Sequence, residues 1–329
     1  MAISGIFAIQ NVYHQQVSNT WPATAYVPPP PGTLYGWFAG GRDNIAPSYT
    51  STVDRIDFSN DTGTSSVRGS LSSSMGYLAA TGNENFGWFA GGFPTASKVD
   101  RIDYSIDTVV ASTRGALSLA RYALSGTGNT SYGWFAGGRN TPHFTTIDRI
   151  DYSVDTAVSQ VRGPLSSAAT YGATVGNAES GWIGGGGTGG AGASYIQRVT
   201  YSNDTATAPI RSVFDQTIRS QAGSSNLSYG WFSGGVPSSS SIRRLDFSAD
   251  TVTPLIRGNL VTNSNTTPRS SFDHAATGTT DYGWHAGGRP SGTSRVNRID
   301  YSNDTNTTTE RGPLSREPWS LAATGGFLG

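Results

Sequence analysis

The 329-residue chain contains no cysteine and only one lysine, Lys98. The lack of cysteine excludes disulfide bonds, thiolate metal ligands and cysteine nucleophiles. Charged residues make up only 13% of the chain, and its 22 basic and 22 acidic residues cancel. A neutral chain of this kind has no broad positive surface, so nucleic acids and anionic membranes are not expected partners.

Long apolar runs and targeting signals are also missing. The sequence has no stretch of about 18 apolar residues, so membrane insertion is not expected. The start, MAISGIFAIQNVYHQQ, has no basic region typical of a signal peptide, and we expect synthesis in a cytoplasm. The 43 glycines and the scarcity of helix-favouring charged residues predict an all-β chain rich in turns.

An aromatic block followed by glycines occurs six times. It reads YGWFAGG at 35–41, FGWFAGG at 86–92, YGWFAGG at 132–138, SGWIGGG at 180–186, YGWFSGG at 229–235 and YGWHAGG at 282–288. The repeated tryptophans are Trp37, Trp88, Trp134, Trp182, Trp231 and Trp284. They lie 46 to 53 residues apart, so the chain is built from six repeats of about fifty residues.

Further blocks follow the first in every repeat. VDRIDFSNDT at 53–62 is echoed five times, as in VDRIDYSIDT at 99–108 and IDRIDYSVDT at 147–156, and is followed by an Arg-Gly-x-Leu segment. Polar and apolar residues alternate in DRIDYS, which indicates a strand, and SNDT favours a turn. A last block resembling LAATGN (78–83) leads into the next tryptophan. Each repeat therefore predicts four short strands.

Four strands in about fifty residues predict one blade of a β-propeller. The first repeat lacks its own ATG strand, whereas the chain ends with LAATGG at 321–326. We expect this last strand to pair into the first blade and close the ring. An open solenoid is the competing architecture, but it would need capping segments, and none is visible.

The repeat resembles the kelch family of propellers over roughly residues 35–326. The resemblance rests on a double glycine after an aromatic strand, as in Gly40–Gly41, and on the aromatic-Ser turn about fifteen residues later. The sequence departs from the family pattern because its tryptophan lies beside the double glycine, and Arg-Gly-x-Leu replaces the later tryptophan. Kelch resemblance implies the fold, a six-bladed kelch-like propeller, and says little about function.

Arginine also repeats in two columns. The first is Arg55, Arg101, Arg149, Arg198, Arg244 and Arg298, and the second is Arg68, Arg114, Arg162, Arg211, Arg257 and Arg311. We interpret them as structural, each pairing with an aspartate of the column that begins at Asp61, in the same or a neighbouring blade. An anion-binding ring is the alternative. The tryptophans are predicted to form the core between blades.

Enzyme signatures are weak, and we predict a protein that is not an enzyme and has no cofactor or metal. Ser59 to Gly63 resembles the Asp-box turn of sialidases, which is itself structural. No pair of carboxylates stands out for glycoside hydrolysis, and copper chemistry of the galactose-oxidase type needs a cysteine. The four histidines, His14, His143, His274 and His285, do not have metal-ligand spacing.

Loop variation separates the two faces of the predicted ring. The turns after ATG and within SNDT are short in every repeat, whereas the loops after the double glycine and after Arg-Gly-x-Leu vary in length and content. Because function concentrates on loops held by a scaffold, we predict ligand binding on the variable face. The candidate residues are Arg42, Asp43, Tyr49, His143, Phe144, Tyr195, Phe272, Asp273 and His274. Loops that merely drift in sequence are the alternative.

Residues 1–34 lie outside the repeat and are predicted to be an extended attachment arm, with the propeller at 35–329. Four consecutive prolines at 28–31 form a stiff spacer. The arm's anchoring residues are predicted to be Ile3, Ile6, Phe7, Ile9, Val12, Tyr13 and Trp21. A strand added to a partner's sheet edge is one mode of attachment, and a disordered tail is the alternative.

The polar, lysine-poor repeats with GWFAGG and DRIDYSNDT resemble virion-associated proteins of tailed bacteriophages, such as fibre, appendage or decoration proteins. This resemblance implies a virion location, attachment to tail or capsid proteins through the arm, and binding of a host surface or glycan through the propeller. Homo-oligomerisation stays open. The alternatives are a kelch-type interaction module of a cell and a carbohydrate-active enzyme.

Overall fold

Each repeat forms a four-stranded antiparallel sheet, and six such sheets surround one axis. The computed structural model describes residues 29–43, 48–188, 191–237, 239–261, 271–289 and 292–325. Within these residues the helical elements are short. They are α1 (Pro31–Leu34) and five single 3₁₀ turns at Tyr104–Ile106, Tyr152–Val154, Tyr201–Asn203, Phe247–Ala249 and Tyr301–Asn303.

The strands are numbered in chain order. They are β1 (Tyr35–Ala39), β2 (Arg42–Asp43), β3 (Val53–Asp57), β4 (Ser66–Arg68), β5 (Ala79–Gly82), β6 (Phe86–Ala90), β7 (Val99–Asp103), β8 (Ser112–Thr113), β9 (Ser125–Gly128), β10 (Tyr132–Ala136), β11 (Ile147–Asp151), β12 (Gln160–Arg162), β13 (Ala173–Gly176), β14 (Ser180–Gly184), β15 (Ala193–Thr200), β16 (Ile210–Ile218), β17 (Ala222–Ser225), β18 (Tyr229–Ser233), β19 (Ser241–Asp246), β20 (Leu255–Asn259), β21 (Ala275–Gly278), β22 (Tyr282–Ala286), β23 (Val296–Asp300), β24 (Thr309–Arg311), β25 (Pro318–Trp319) and β26 (Ala322–Gly325).

The blades follow one pattern from the axis outwards. Blade 1 is β26-β1-β3-β4, blade 2 is β5-β6-β7-β8, blade 3 is β9-β10-β11-β12, blade 4 is β13-β14-β15-β16, blade 5 is β17-β18-β19-β20 and blade 6 is β21-β22-β23-β24. The two remaining strands, β2 and β25, pair with each other. The ATG block is thus innermost, the tryptophan strand second and the DRID strand third.

The C-terminal strand closes the ring, as the sequence predicts. β26 pairs antiparallel with β1, with Gly36 opposite Gly325 and Ala39 opposite Ala322. Each innermost strand contacts the innermost strand of both neighbouring blades, and β26 contacts β21 and β5. The six-bladed all-β architecture is confirmed, and the first blade is assembled from both ends of the repeat region.

The double glycine is required where the second strand turns away from the axis. Gly40 has φ +65°, and a Cβ there would lie 2.6 Å from the carbonyl oxygen of Met75. Gly41 has φ +97° and would meet the carbonyl oxygen of Trp319 at 2.7 Å. Because both the backbone conformation and the space exclude a side chain, this position explains why the glycines repeat.

A repeated cluster joins each blade to the next. Trp37 of blade 1 stacks on Tyr104 of blade 2, with ring centroids 3.8 Å apart, and its indole N–H donates to Asp107 at 2.8 Å. Arg55 and Arg68 of blade 1 contact the same carboxylate at 3.1 and 3.5 Å. The tryptophan is fully buried, and its aspartate accepts hydrogen bonds from the indole and from Arg55 and forms an ion pair with Arg68.

The other junctions repeat this cluster, which we call the seam. The aspartates that receive the indole N–H are Asp155 for Trp88, Asp204 for Trp134, Asp250 for Trp182, Asp304 for Trp231 and Asp61 for Trp284. Both arginine columns contact these same aspartates, from Arg101 and Arg114 on Asp155 to Arg298 and Arg311 on Asp61. The acid always belongs to the following blade. The seams thus occupy all twelve repeated arginines.

The ring has two unlike ends. The end with the short turns after the innermost and third strands is called the turn face, and the opposite end is called the loop face. The axial channel between them is lined by small residues such as Ala80, Gly126 and Gly223, and it holds cavities of about 170 and 130 Å³. None of the helices among the described residues is long or apolar enough to cross a membrane.

The segment before the first blade lies on the turn face. The Gly32 N–H donates to the carbonyl of Glu84 at 2.9 Å, and the Phe58 N–H donates to the carbonyl of Leu34 at 3.1 Å. Glu84 lies in a turn of blade 2 and Phe58 in a turn of blade 1. The chain therefore joins the ring from the turn face, opposite the variable loops.

Candidate functional site

Six residues form a closed hydrogen-bonded circle at the loop-face end of the channel. Each lies two residues before an innermost strand, and we call them the axial ring: Tyr77, Ala123, Tyr171, Ser220, Asp273 and Ser320. The N–H of each donates to the carbonyl of the ring member in the preceding blade, at 2.6 to 3.0 Å. The circle closes where Tyr77 donates to Ser320.

All six residues have left-handed backbones, with φ between 55° and 62°. This conformation costs residues other than glycine on the order of 1 kcal/mol or more each. The circle of hydrogen bonds holds the strained backbone in place. Unlike the seams, however, the ring does not have the same side chain in every blade: it presents two tyrosines, two serines, an alanine and an aspartate. Backbone symmetry with unlike side chains indicates a position that serves something other than the scaffold.

Two tyrosine rings meet at the end of the channel. Tyr77 of blade 2 has its ring 5.5 Å from that of Tyr171 in blade 4. Its ring also lies 6.2 Å from Tyr122 of blade 3 and 5.9 Å from Trp319 of blade 1. The intervening ring member is Ala123, whose small side chain leaves space for this approach. Rings from four blades therefore form one aromatic floor on the loop face.

Twelve further residues surround the axial ring, in one pair per blade. We call them the mouth residues: Arg42 and Trp319, Phe93 and Gly76, Arg139 and Tyr122, Gly187 and Thr170, Val236 and Arg219, and Arg289 and Phe272. The first of each pair follows the double glycine, and the second precedes a ring member. Neither position has the same residue in all six blades. Four are arginines, and none is acidic.

Two of these arginines cover the same indole. Arg42 and Arg289 have their guanidinium carbons 5.3 and 4.3 Å from the ring centroid of Trp319. Arg139 lies over Tyr122 at 5.6 Å. Each contact is a cation–π interaction, which also fixes the direction of a flexible side chain. The loop face thus holds positive groups on aromatic supports around the floor.

An aspartate stands between the positive groups and the floor. The Asp273 carboxylate lies 3.9 Å from the Arg289 guanidinium, and its side chain is only 10% exposed. Burial raises the pKa of Asp273, opposed by a hydrogen bond from Ser220 and by the charges of Arg289 and Arg219. Burial likewise raises the pKa of the Tyr171 phenol to about 12. At neutral pH both tyrosines of the floor are therefore uncharged hydrogen-bonding groups.

The structure brings some of the predicted residues to this site. Arg42, Phe272 and Asp273 belong to the mouth or the ring, and the ring of Tyr49 lies 5.4 Å from that of Phe93 at the edge. Asp43 follows Arg42 in β2. These residues come from blades 1 and 6 and meet because the ring closes.

His143, in the loop of blade 3, also reaches the site, because its Nδ1 is 2.8 Å from the hydroxyl of the mouth residue Thr170. Other predicted residues lie elsewhere. Phe144 is half-buried in that loop, and Tyr195 lies in β15, away from the axis. His274 does not reach the surface: it is 6% exposed, and Ser233 lies 2.9 Å from its Nε2. It occupies the inward-packed position of Leu124 in blade 3, so it is not a surface ligand-binding residue.

The prediction from sequence missed much of the site. The missed residues are Tyr77, Phe93, Tyr122, Arg139, Tyr171, Arg219, Arg289 and Trp319. They could have been found by aligning the six repeats and asking which positions beside the fixed GWFAGG and ATG blocks differ among the repeats. The predicted arm residues Ile3, Ile6, Phe7, Ile9, Val12, Tyr13 and Trp21 lie outside the described residues. Within the described ranges, no cluster of three or more histidine or acidic residues could hold a metal ion.

The fold and the site define a six-bladed β-propeller with one asymmetric aromatic and basic face. A known structure described as that of YjhT is similar in fold, with a TM-score of 0.61 at 10% sequence identity, covering 77% of this chain and 88% of that one. At this identity the likeness concerns the fold alone. No family model and no curated protein matches the sequence.

Proposed function

We propose that the chain is a non-enzymatic recognition module whose loop face binds a glycan on a host surface. One observation carries this proposal: eighteen residues around the axis occupy three equivalent positions of each blade, and none of these positions has the same side chain in all six blades, whereas the seams are nearly identical in all blades. The floor combines Tyr77 and Tyr171 with hydroxyls and charged groups. Flat rings beside hydrogen-bonding groups suit the apolar faces and hydroxyls of a sugar.

The position of the N-terminal segment supports the same proposal. Residues 31–34 pack on the turn face through Gly32 and Leu34, so an attachment made through the preceding arm would leave the loop face pointing away. We therefore propose a virion fibre, appendage or decoration protein of a tailed phage, made in the host cytoplasm and attached to tail or capsid proteins. Mass spectrometry of purified particles tests the location, and absence of the chain from them would favour a kelch-type module of the cell.

A glycan array tests recognition by the loop face. The variants are Tyr77→Ala and Tyr171→Ala, each of which installs the alanine that blade 3 carries at Ala123 with the same backbone conformation. These variants keep the fold and remove the floor. We expect wild type to bind and both variants to bind about tenfold or more weakly. Folding is checked by circular dichroism and by the thermal midpoint.

The matched control is an exposed residue of the turn face, Glu84→Gln, which keeps its backbone contact with Gly32. It should bind as wild type does. If both tyrosine variants keep the wild-type affinity, the loop face is not the glycan-binding site. If the wild-type protein binds no glycan, the proposal of glycan recognition is wrong.

A carbohydrate-active enzyme is the second candidate, and the environment of Asp273 is the observation that favours it. A buried carboxyl with a raised pKa beside two phenols is a possible proton donor. Asp273 lacks a partner acid of the kind that glycoside hydrolysis uses, because it is the single acid among the residues of the axial ring and the mouth. Surface polysaccharides are incubated with the wild-type protein and with the Asp273→Ser variant. Release of reducing ends by the wild-type protein but not by the variant would establish an enzyme.

A further inference from the structure

We infer that the glycan recognised by the loop face is acidic, with its negative group received between Arg42 and Arg289. This inference rests on the proposed function and specifies its ligand. The two guanidinium groups lie over one indole, that of Trp319, although they come from different blades. They are brought together only where blade 6 meets blade 1.

The charge balance of the site supports an anionic ligand. Among the axial ring and the mouth residues, four arginines face a single acid, Asp273, in a chain whose total charge is zero. The twelve arginines of the scaffold are all used at the seams, so these four are an addition to the repeat. An incoming anion is attracted by this excess of positive groups.

Arginine also provides the geometry for an acidic group. Its planar guanidinium donates two parallel hydrogen bonds to one carboxylate or sulfate. Stacking on Trp319 holds each guanidinium in place and reduces the entropy that binding would otherwise cost. The side chain of Arg289 is 40% exposed, which leaves it accessible to a ligand.

The floor explains why the anion is expected on a sugar. Beside the arginines are the half-buried phenols of Tyr77 and Tyr171, both uncharged at neutral pH because burial raises their pKa values. These groups can donate to and accept from the hydroxyls of a sugar ring. A simple inorganic anion would contact the arginines but not the tyrosines of the floor. A uronic acid or a sulfated sugar can contact the arginines through its acidic group and the tyrosines through its sugar ring.

Paired polymers test this inference with the full chain. Polygalacturonate is compared with its carboxyl-reduced form, and dextran sulfate with dextran, so that each pair differs mainly in the acidic group. We expect at least one acidic polymer to bind about tenfold or more tightly than its neutral partner. Raising sodium chloride should weaken that binding, because salt screens exposed charges. The two pairs distinguish a carboxylate from a sulfate.

Variants locate the interaction. Arg289→Val installs the residue that blade 5 carries at Val236, and the expected loss is about ten- to hundredfold, the usual size for a hydrogen bond to a charged group. The matched control is Arg295→Gln, which removes one positive charge where Arg295 pairs with Glu310, at the outermost strand of blade 6. It should change affinity by less than about threefold. Arg42→Val gives a second reading should Arg289→Val misfold.

The outcomes separate this inference from the proposed function. Equal binding of acidic and neutral partners overturns the acidic ligand and leaves glycan recognition standing. Binding to no saccharide at all overturns both. Attachment to cells that survives periodate treatment and is lost after protease treatment identifies a protein receptor and overturns the inference as well.

Discussion

The indole N–H of Trp284 donates to the carboxylate of Asp61 at 2.8 Å, across 223 residues of sequence. This hydrogen bond joins blade 6 to blade 1, and Arg298 and Arg311 contact the same carboxylate at 3.1 and 3.4 Å. The closing seam therefore has the same chemistry as the five seams between consecutive blades. The ring is closed twice, by β26 within blade 1 and by Asp61 between blades.

Replacing the central acid of a seam should cost stability. We expect Asp61→Ala to lower the free energy of unfolding by about 3–5 kcal/mol, because it leaves a buried indole N–H and two guanidinium groups without their acceptor. Urea denaturation measures the change. Asp57→Ala is the control, since Asp57 is nearby and accepts only from the exposed Ser59 N–H and hydroxyl. Equal losses in the two variants would show that the seam contributes nothing special.

Removal of the last strand should open the ring. A chain ending at Leu321 lacks β26, so β1 loses its innermost partner and both neighbouring innermost strands lose a contact. A control chain ending at Gly325 retains the strand. We expect the shorter chain to be digested rapidly by protease at a temperature at which the control chain resists. Equal protease resistance would mean that the strand is dispensable for closure.

The sequence predicts the blades well because residues at the same place in each repeat are expected to occupy the same place in each blade. Six tryptophans in strands of fixed spacing imply six equivalent environments, and the seam contacts from Trp37 to Asp107 and from Trp284 to Asp61 show this equivalence. The repeat does not show which blade supplies the aspartate that each arginine contacts. Whether an arginine pairs within its blade or with the next depends on how the sheets pack, and the structure assigns every acid to the following blade.

The candidate site was harder to predict for a geometric reason. Sequence comparison singles out loops that vary in length, whereas the site is built from positions of constant backbone, such as Tyr77 and Tyr171, that converge only when the ring closes. Nothing in the sequence shows that residues 94 positions apart share one floor. His274 illustrates the converse error: it follows a site residue, yet the alternation of side chains along the chain directs it inwards, against Ser233 of blade 5.

The buried histidines of the last two blades should make the protein sensitive to acid. Burial lowers the pKa of His274 to about 4 and lowers that of His285 well below its usual range. Ser233 lies 2.9 Å from Nε2 of His274 and 2.7 Å from Nδ1 of His285, and Ser224 lies 2.9 Å from His285 Nε2. Both imidazoles are therefore neutral in the folded protein.

The sign of the effect follows from these lowered pKa values. Above about pH 6.5 the histidines are neutral in both states, and their contribution to stability is fully present. As the pH falls below that value, the two histidines become protonated in the unfolded chain but stay neutral in the folded chain. Unfolding is therefore increasingly favoured. Stability should fall by on the order of 2 kcal/mol per histidine by pH 5. Thermal midpoints between pH 8 and pH 5 measure this loss.

A double variant provides the control for the histidines. His274→Leu with His285→Phe restores the leucine and phenylalanine that blade 3 carries at Leu124 and Phe135. We expect its thermal midpoint to fall less than that of wild type between pH 8 and pH 5, each protein being compared with its own value at pH 8. Parallel curves would assign the acid sensitivity to other groups.

Proton uptake at Asp273 should couple the affinity for an acidic glycan to pH. Because burial raises the pKa of Asp273, this carboxyl gains a proton at a higher pH than an ordinary aspartate does. The charged and titratable groups around it are Arg289, Arg219, Tyr77 and Tyr171, and burial raises the pKa of both tyrosines. A neutral Asp273 no longer repels an anion and no longer competes for Arg289, so affinity should rise as the pH falls through this pKa.

Asp273→Ser is the variant that isolates this effect, because Ser220 and Ser320 occupy the same position in blades 5 and 1 with the same backbone conformation. We expect it to bind polygalacturonate more tightly than wild type does at pH 7 and to show a flatter pH profile. Measurements stay above the pH at which the polymer itself becomes protonated. A wild-type affinity that falls as the pH falls, or identical profiles for the two proteins, would show that Asp273 does not oppose the ligand's charge.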